Sequence, residues 1–354
     1  MGIRVIQWGT GTTGKFAVRE VARRPELDLV AVRVYSADKA GTDAGSAVGF
    51  DPVGVLATDD HDAVMAMDAD VVLYMAKVER NLEQSIADMI GLLRSGKNVI
   101  TTGGVLIDPY ALAPQLGEAI DEACKEGNTT YLGLGIYPGF AAETLAPVLS
   151  RLSADATRIV VREVNNYATY PVTEMMFDAM GYGFAPDDPT PQLADPNAAG
   201  MAFTGAATVL AKALGLTIRG TEGLRETRVT PIDLEVAAGT VKAGTVGAMT
   251  FGVRADCGGT ELLVLHTTRM ANDLFEGWPD RDGFHVTYEG DPEITLHMEV
   301  GRPGIDDLND KGCLATAMHA VHAIPAVVAA APGVMDLASI GWFPGTWPTD
   351  GTTA

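Results

Sequence analysis

The sequence predicts an α/β chain in two parts: an N-terminal doubly wound parallel sheet, then a second α+β domain built on a mostly antiparallel sheet. Three observations predict it. The glycines Gly9, Gly11 and Gly14 follow directly on the apolar run Ile3–Trp8 and open a helical pattern. Up to Leu134, short apolar runs alternate with segments of helical period, the pattern of parallel strands with helices on both faces. After Gly139 the runs lengthen and alternate polar with apolar, as antiparallel strands do. The first part therefore reads as a Rossmann domain over 1–140. The second reads as a substrate-binding and dimerisation domain over 141–331, and 332–354 as a tail returning toward the first domain.

Each element has its own signal. Strands are expected at 4–8, 27–35, 53–57, 70–75, 99–101 and 129–134. Helices are expected at 13–24, from Asp59 or Asp60 to Met67, at 81–95 and at 108–125. Leu82, Ile86, Met89, Ile90 and Leu93 recur at helical spacing, and Gly96 ends that helix. The glycine-rich stretch 38–54 reads mostly as loop. In the second part, helices are expected at 140–152, 173–183, 198–214 and 311–331, the last interrupted or bent near Pro325. Strands are expected at 158–167, 224–237, 246–256, 261–270 and, in two pieces, 283–300. The tail carries Trp342 and Trp347.

Composition narrows the function. Lys plus Arg number 25 against 46 Asp plus Glu, a formal net charge of −21. Such a surface repels phosphate backbones, so no nucleic acid is expected. Three widely spaced cysteines, Cys124, Cys257 and Cys313, suit neither a disulfide framework nor a zinc knuckle. No apolar run reaches the roughly 18 residues of a membrane span, and the N-terminus reads as a strand, so a cytoplasmic protein without a membrane partner is expected.

The glycine triplet points to a dinucleotide. Gly9 allows the turn out of the strand, Gly11 lets a pyrophosphate approach the backbone, and Gly14 lets the helix pack on the strand. Thr10, Thr12 and Thr13 complete the loop, and the helix N-terminus turns amides toward the phosphates. An ordinary βα turn is the bland alternative. At the end of the second strand, where NAD sites place a carboxylate, stands Ser36, with Arg33 and Lys39 near. A hydroxyl beside a cation suits a 2′-phosphate, so NADP is favoured, and Asp38 keeps NAD possible.

Ligands of open α/β sheets lie beyond the strands' C-terminal ends. Those ends here carry Met75 and Ala76, Thr101, Thr102 and Gly103, and Tyr137 to Phe140. Tyr137 is a candidate proton donor or an aromatic wall. Glu163, Asn165 and Asn166, followed by Tyr167 and Tyr170, cluster where a strand should simply end and suggest a pocket lining. A tyrosine hydroxyl could protonate an alkoxide, though a buried tyrosine usually just satisfies its own hydroxyl. His266, in an apolar strand, is a candidate general acid or a plain core histidine. Glu143 could hold a polar substrate group or complement its helix dipole. Phe140 and Met176 read as walls of a hydrophobic pocket or as core. His319 and His322 share a helix face, but no carboxylate or thiol joins them, so no metal is expected.

Five blocks together resemble the dihydrodipicolinate reductase-like oxidoreductases, within them the 2,4-diaminopentanoate dehydrogenase and native amine dehydrogenase branch. They are Gln7-Trp8-Gly9-Thr10-Gly11 through Gly14, Lys39 to Gly45, Asn98 to Gly103, Gly135 to Phe140, and Thr316 to Gly333. The resemblance implies hydride transfer between a nicotinamide cofactor and a small, largely apolar ketone, aldehyde or imine, by a homodimer. It also implies that His322 lines the cofactor pocket, where relatives carry an asparagine, and that Tyr137 replaces another asparagine. One departure stands out. The amine-forming members carry a glutamate just after the fifth strand, and here that stretch reads Thr101-Thr102-Gly103-Gly104-Val105. The loss puts ammonia use in doubt, because a buried carboxylate stabilises a cationic iminium. A polyol or sugar dehydrogenase would commonly carry Glu-Lys-Pro there. An acylating aldehyde dehydrogenase needs a nucleophilic cysteine, and Cys124 falls inside a predicted helix. A catalytically inactive, cofactor-binding relative is the alternative outside enzymes.

Overall fold

The computed structural model describes residues 2–346; the part of the expected tail from Trp347 onward lies outside the described residues. The chain divides into two compact units. The first comprises residues up to Gly139 together with those from Gly312 onward, and the second is Phe140–Lys311.

In the first unit β1 (Ile3–Trp8), β2 (Leu27–Arg33), β3 (Ala57–Thr58), β4 (Val71–Tyr74), β5 (Asn98–Thr101) and β6 (Thr130–Gly133) form a parallel sheet. Its order is β15-β6-β5-β4-β1-β2-β3, where β15 (Gly333–Met335) is a strand the sequence reading had left in the tail. Three residues are too few to show a period, but β15 pairs in parallel with β6 and closes the edge. The helices are α1 (Gly14–Ala22), α2 (His61–Ala66), α3 (Leu82–Arg94), α4 (Pro109–Leu112) and α5 (Pro114–Gly127). Asp60 caps α2 by accepting from the Ala63 amide at 3.0 Å. The single helix expected over 108–125 breaks between α4 and α5, because Pro114 offers no N–H and forces Ala113 into an extended conformation.

One face of the sheet packs on α1 and on α8 (Leu308–Ala329), through Phe16, Val18, Ala317, Ala320 and Ile324. The helix expected to close the second domain thus joins the core of the first unit from Gly312 onward, and Pro325 lies within it without ending it. Its length and mean hydropathy of 1.5 would suit a membrane span, but its apolar positions fill this core. The other face packs on α3 and α5.

The loop expected over 38–54 is built around Asp43. Its carboxylate accepts from the amides of Gly45, Ser46, Val53 and Gly54, at 2.8 to 3.2 Å. Desolvation opposes ionisation, but the four amides outweigh it and hold the carboxyl below its ordinary range. This explains the aspartate in the Lys39–Gly45 block.

The second unit is a six-stranded sheet of order β14-β13-β7-β12-β11-β8. The strands are β7 (Asp155–Asn166), β8 (Gly220–Val229), β11 (Val246–Asp256), β12 (Glu261–Arg269), β13 (Gly283–Asp291) and β14 (Ile294–Met298), with a separate hairpin of β9 (Leu234–Val236) and β10 (Gly239–Val241). Only β12 and β7 pair in parallel. The strand expected over 224–237 is split between β8 and β9, with Pro231 in the gap. Helix α7 (Pro196–Ala213) packs on one face of this sheet. Close approach is possible because Gly200 sits against Gly223, where a methyl would come 2.8 Å from its Cα. The expected helix over 140–152 is a π-helical turn, Ala141–Leu145, running into α6 (Ala146–Leu149) and a 3₁₀ turn. The segment 174–180 is π-helical as well and ends at left-handed Gly181 (φ 91°). π-Helical turns are rare and concentrate at functional sites.

Candidate active site

The glycine loop sits at the C-terminal end of β1, and its surroundings require glycine at Gly9 and Gly14 and leave Gly11 open. Gly9 has φ +92°, and a methyl there would lie 3.0 Å from both the Met75 carbonyl oxygen and the Ala76 amide nitrogen. Met75 and Ala76 thus form the floor beneath the turn. A methyl on Gly14 would come 2.1 Å from the Gly9 carbonyl oxygen. A methyl on Gly11 would meet nothing within 4 Å, so the backbone there is open to a large group. Thr13 provides no side-chain cap to α1. An uncapped helix start beside an open glycine is a cradle for phosphate.

The neighbouring strand ends complete this edge. The Thr102 amide donates to the Tyr74 carbonyl at 3.3 Å, and the Gly103 amide donates to Thr101 Oγ1 at 3.2 Å. A methyl on Gly103 would lie 2.5 Å from Val78 Cγ2, so the loops after β4 and β5 touch. Tyr137 follows β6 and precedes a cis Pro138.

Around the end of β2, Ser36 bonds Asp38, and that bond is the main reason the Asp38 carboxyl lies below its ordinary range. Lys39 Nζ reaches back to the Thr10 carbonyl at 3.4 Å. β2 ends at Arg33 rather than Tyr35, and the Arg33 carbonyl accepts from the Gly9 amide at 2.9 Å. The Arg33 guanidinium stacks on Tyr35 at 5.0 Å, and its Nε and Nη1 are buried without a hydrogen-bond partner among the described residues. Behind this edge lies a buried polar cluster. Trp8 stacks on Tyr74 (5.4 Å) and donates from Nε1 to the Tyr35 hydroxyl (2.9 Å). Asp88 on α3 accepts from Tyr74 Oη (3.0 Å) and Gln84 Nε2 (2.8 Å) and meets His61 Nε2 at 2.9 Å.

The expectation for His322 needs correction. Its Nε2 lies 3.2 Å from Arg24 Nη2 and 3.0 Å from the Thr346 carbonyl oxygen, at the end of α1 remote from the glycine loop. One turn earlier, His319 places Nδ1 2.8 Å from the Gly135 carbonyl, just past β6. Spacing along α8 showed that the two histidines share a face, but not which of them reaches a strand's C-terminal end.

Within the second unit, sheet register brings together residues a hundred positions apart. His266 on β12 stands opposite Glu163 on β7 on one side and opposite Phe251 on β11 on the other. His266 Nε2 is 3.4 Å from Glu163 Oε2 and 3.3 Å from the Tyr167 hydroxyl. Tyr170 packs beside Tyr167 at 5.5 Å, and Phe203 of α7 covers His266. Desolvation pushes the Glu163 carboxyl up to about 8, against a hydrogen bond from Asn165 that favours ionisation. Desolvation also pushes the His266 imidazole down to about 3. At neutral pH the carboxyl therefore holds a proton and the imidazole does not. The sequence places Glu163 in the polar cluster at this strand's end but gives it no chemical role. The available signal was a carboxylate at an inward position of a period-two strand, 159, 161 and 163.

The remaining expected pocket residues are distributed nearby in chain. Phe140 caps the first π-helical turn, Glu143 is buried within it, and Met176 is buried in the second. Burial raises the Cys124 thiol to about 11, which suits a core position in α5 and not a nucleophile.

Comparison with known proteins decides the family. Residues 140–345 match the 2,4-diaminopentanoate dehydrogenase C-terminal domain. The chain belongs to this dehydrogenase family. It is 32% identical over 351 residues to an amine dehydrogenase of Streptomyces virginiae, covering 96% of each chain. It is 25% identical to the 2,4-diaminopentanoate dehydrogenase of Acetoanaerobium sticklandii, over 94% of this chain and 91% of the other. The fold matches the amine dehydrogenase of Mycobacterium smegmatis with a TM-score of 0.78 at 17% identity, over 97% and 96% of the two chains. As a member of this dehydrogenase family, the protein is an NAD(P)-dependent oxidoreductase. The glycine cradle of its first unit fits that cofactor.

Proposed function

We propose that the protein transfers hydride from NADPH to a small, largely apolar ketone, aldehyde or imine. The observation that carries this reading is the loop at Gly9, Gly11 and Gly14: two glycines locked by backbone contact and one left open. When bound, the nicotinamide supplies the hydride. Gly9 to Gly14 would hold the pyrophosphate, with Met75, Ala76, Thr101, Thr102, Gly103 and Tyr137 along the same edge of the first unit.

NADP over NAD is supported by the end of β2. There Asp38 accepts a bond from Ser36, and the Arg33 guanidinium, stacked on Tyr35, has N–H groups with no partner among the described residues. Lys39 adds a second cation. A charge-assisted bond to a 2′-phosphate is worth about 1.5–3 kcal/mol, so NADPH should be preferred to NADH by roughly 10- to 100-fold. Asn165, Tyr167, Tyr170 and His266 of the second unit would hold the substrate and move its proton, with Phe140, Glu143 and Met176 shaping the pocket. A cytoplasmic homodimer accompanies the reading, supported by the broad six-stranded sheet. A sedimentation run showing a monomer at micromolar protein would remove the dimer.

The test is NADPH and NADH oxidation with a panel of ketones and aldehydes, with and without saturating ammonium, at a pH where much of the ammonium is free ammonia. Oxidation that requires ammonium makes this an amine dehydrogenase that has dispensed with a glutamate after β5. Oxidation that ignores ammonium makes it a carbonyl reductase. Tight NADPH binding with no turnover across the panel would sink the reading in favour of an inactive relative.

A further inference from the structure

Three titratable side chains meet inside the second unit at a single atom. His266 Nε2 faces the Glu163 carboxyl at 3.4 Å and the Tyr167 hydroxyl at 3.3 Å. Glu163 and His266 are cross-strand partners on β7 and β12, and Tyr167 follows directly on β7 with its amide bonded to the Arg269 carbonyl. All three are therefore fixed by the sheet. The surroundings are apolar and aromatic. Phe251 lies against His266 at 5.2 Å, Phe203 covers it from α7, and Phe284 of β13 stands opposite Glu163. Tyr170 and Tyr182 act on Tyr167, and Asn165 bonds both Glu163 and Tyr167.

A buried carboxyl costs stability unless it does something. In the neutral tautomer with its proton on Nδ1, Nε2 is an acceptor, and its one lone pair can take either the Glu163 O–H or the Tyr167 O–H. Reducing a C=O or C=N bond adds one proton to the heteroatom for each hydride added to carbon. A phenol that gives that proton up must be reprotonated, and the imidazole beside it, backed by the Glu163 carboxyl, is placed to do so.

We propose that Glu163, acting through the His266 imidazole, is the proton reserve for Tyr167, which exchanges a proton with the substrate oxygen or nitrogen. The proposal rests on the carbonyl- or imine-reducing reading above. As the Tyr167 O–H bond breaks, the substrate heteroatom gains that proton. The Glu163 O–H bond then breaks as its proton passes to Nε2, and the proton on Nε2 passes to the Tyr167 oxygen. The imidazole ends neutral, the phenol is restored, and the one charge left is the Glu163 carboxylate, which solvent reprotonates after product leaves. Glu163 is thus a positioning residue and Tyr167 the group that meets substrate.

Two measurements test this on the full-length protein. The first is the pH profile of kcat/KM for NADPH-driven reduction, wild type against Glu163→Gln. The wild type should fall above pH about 8 as the reserve empties. The Gln variant should lose that limb and run on the order of 100-fold slower, with KM for NADPH unchanged. A Gln variant that folds and keeps the limb, or keeps full activity, overturns the proposal. The second needs no substrate: infrared difference spectra across pH should show a protonated carboxyl band that titrates in the wild type and is missing in Glu163→Gln. Normal turnover with Glu163 already ionised at neutral pH overturns the proposal alone. A titrating band with no turnover of any carbonyl overturns the functional reading, and the catalytic role of the reserve with it.

Discussion

Gly14→Ala is expected to abolish dinucleotide binding at concentrations that saturate the wild type. The new methyl would fall 2.1 Å from the Gly9 carbonyl oxygen and 2.9 Å from Gln7 Nε2. Neither atom can yield cheaply, because Gln7 Nε2 already donates to the Gly9 carbonyl at 2.8 Å. Relief requires α1 to lift off β1, which spoils the loop geometry and costs about 1–3 kcal/mol of overpacking. That alone is roughly 10- to 100-fold in affinity. Gly11→Ala is the informative contrast. Its methyl meets no protein atom within 4 Å, so the free protein should keep its wild-type stability while losing affinity to direct obstruction of the pyrophosphate. Fluorescence titration with NADPH, paired with thermal unfolding of the free proteins, reads both effects. Wild-type binding by Gly14→Ala would show that the loop is not the phosphate site.

The second large effect is expected at Asp88. Its carboxylate gathers Tyr74 Oη, Gln84 Nε2 and His61 Nε2, tying β4, α3 and α2 together. Asp88→Ala removes three bonds, two of them from neutral donors to a charged acceptor, and leaves the buried Tyr74 hydroxyl only Ser85 and Tyr35 as partners. The expected loss is about 3 kcal/mol or more in denaturant unfolding. The pH dependence has a definite sign. His61 is raised above its ordinary value by bonds to Asp62 and then Asp88, so its contribution is full below that ordinary value and fades as pH rises through the raised one. Asp88→Ala should weaken this acid-side gain. A loss below about 1 kcal/mol would show that the network only decorates the core.

The physics of single segments was legible in the sequence, and the physics of pairs was not. β1, β4 and β5 are short apolar runs that admit one reading, and the glycine roles follow from what a Cβ would strike. The breaks at Pro114 and between β8 and β9 were visible as prolines but were overridden by helical or strand period on either side. β15 is too short for any periodic signal and exists because β6 offers an unpaired edge. Glu163 is legible as part of a polar cluster, but its role is not. A carboxylate on a strand looks solvated until the register shows that its neighbours are His266 and Phe284. His322 failed in the opposite way, since the helical face was right and the height along α8 was wrong.

The return of the chain to its first unit has a consequence for how the protein is made. The core that buries Val5, Phe16 and Leu29 also needs Ala317, Ala320 and Ile324. These positions are separated in the polypeptide by the whole of Phe140–Lys311. A growing chain therefore exposes an unfinished apolar face from the moment α1 leaves the ribosome until the last few dozen residues emerge. The internal unit is synthesised and can fold during that wait. The first unit, although β1 and α1 are made before the internal unit, is completed only after it.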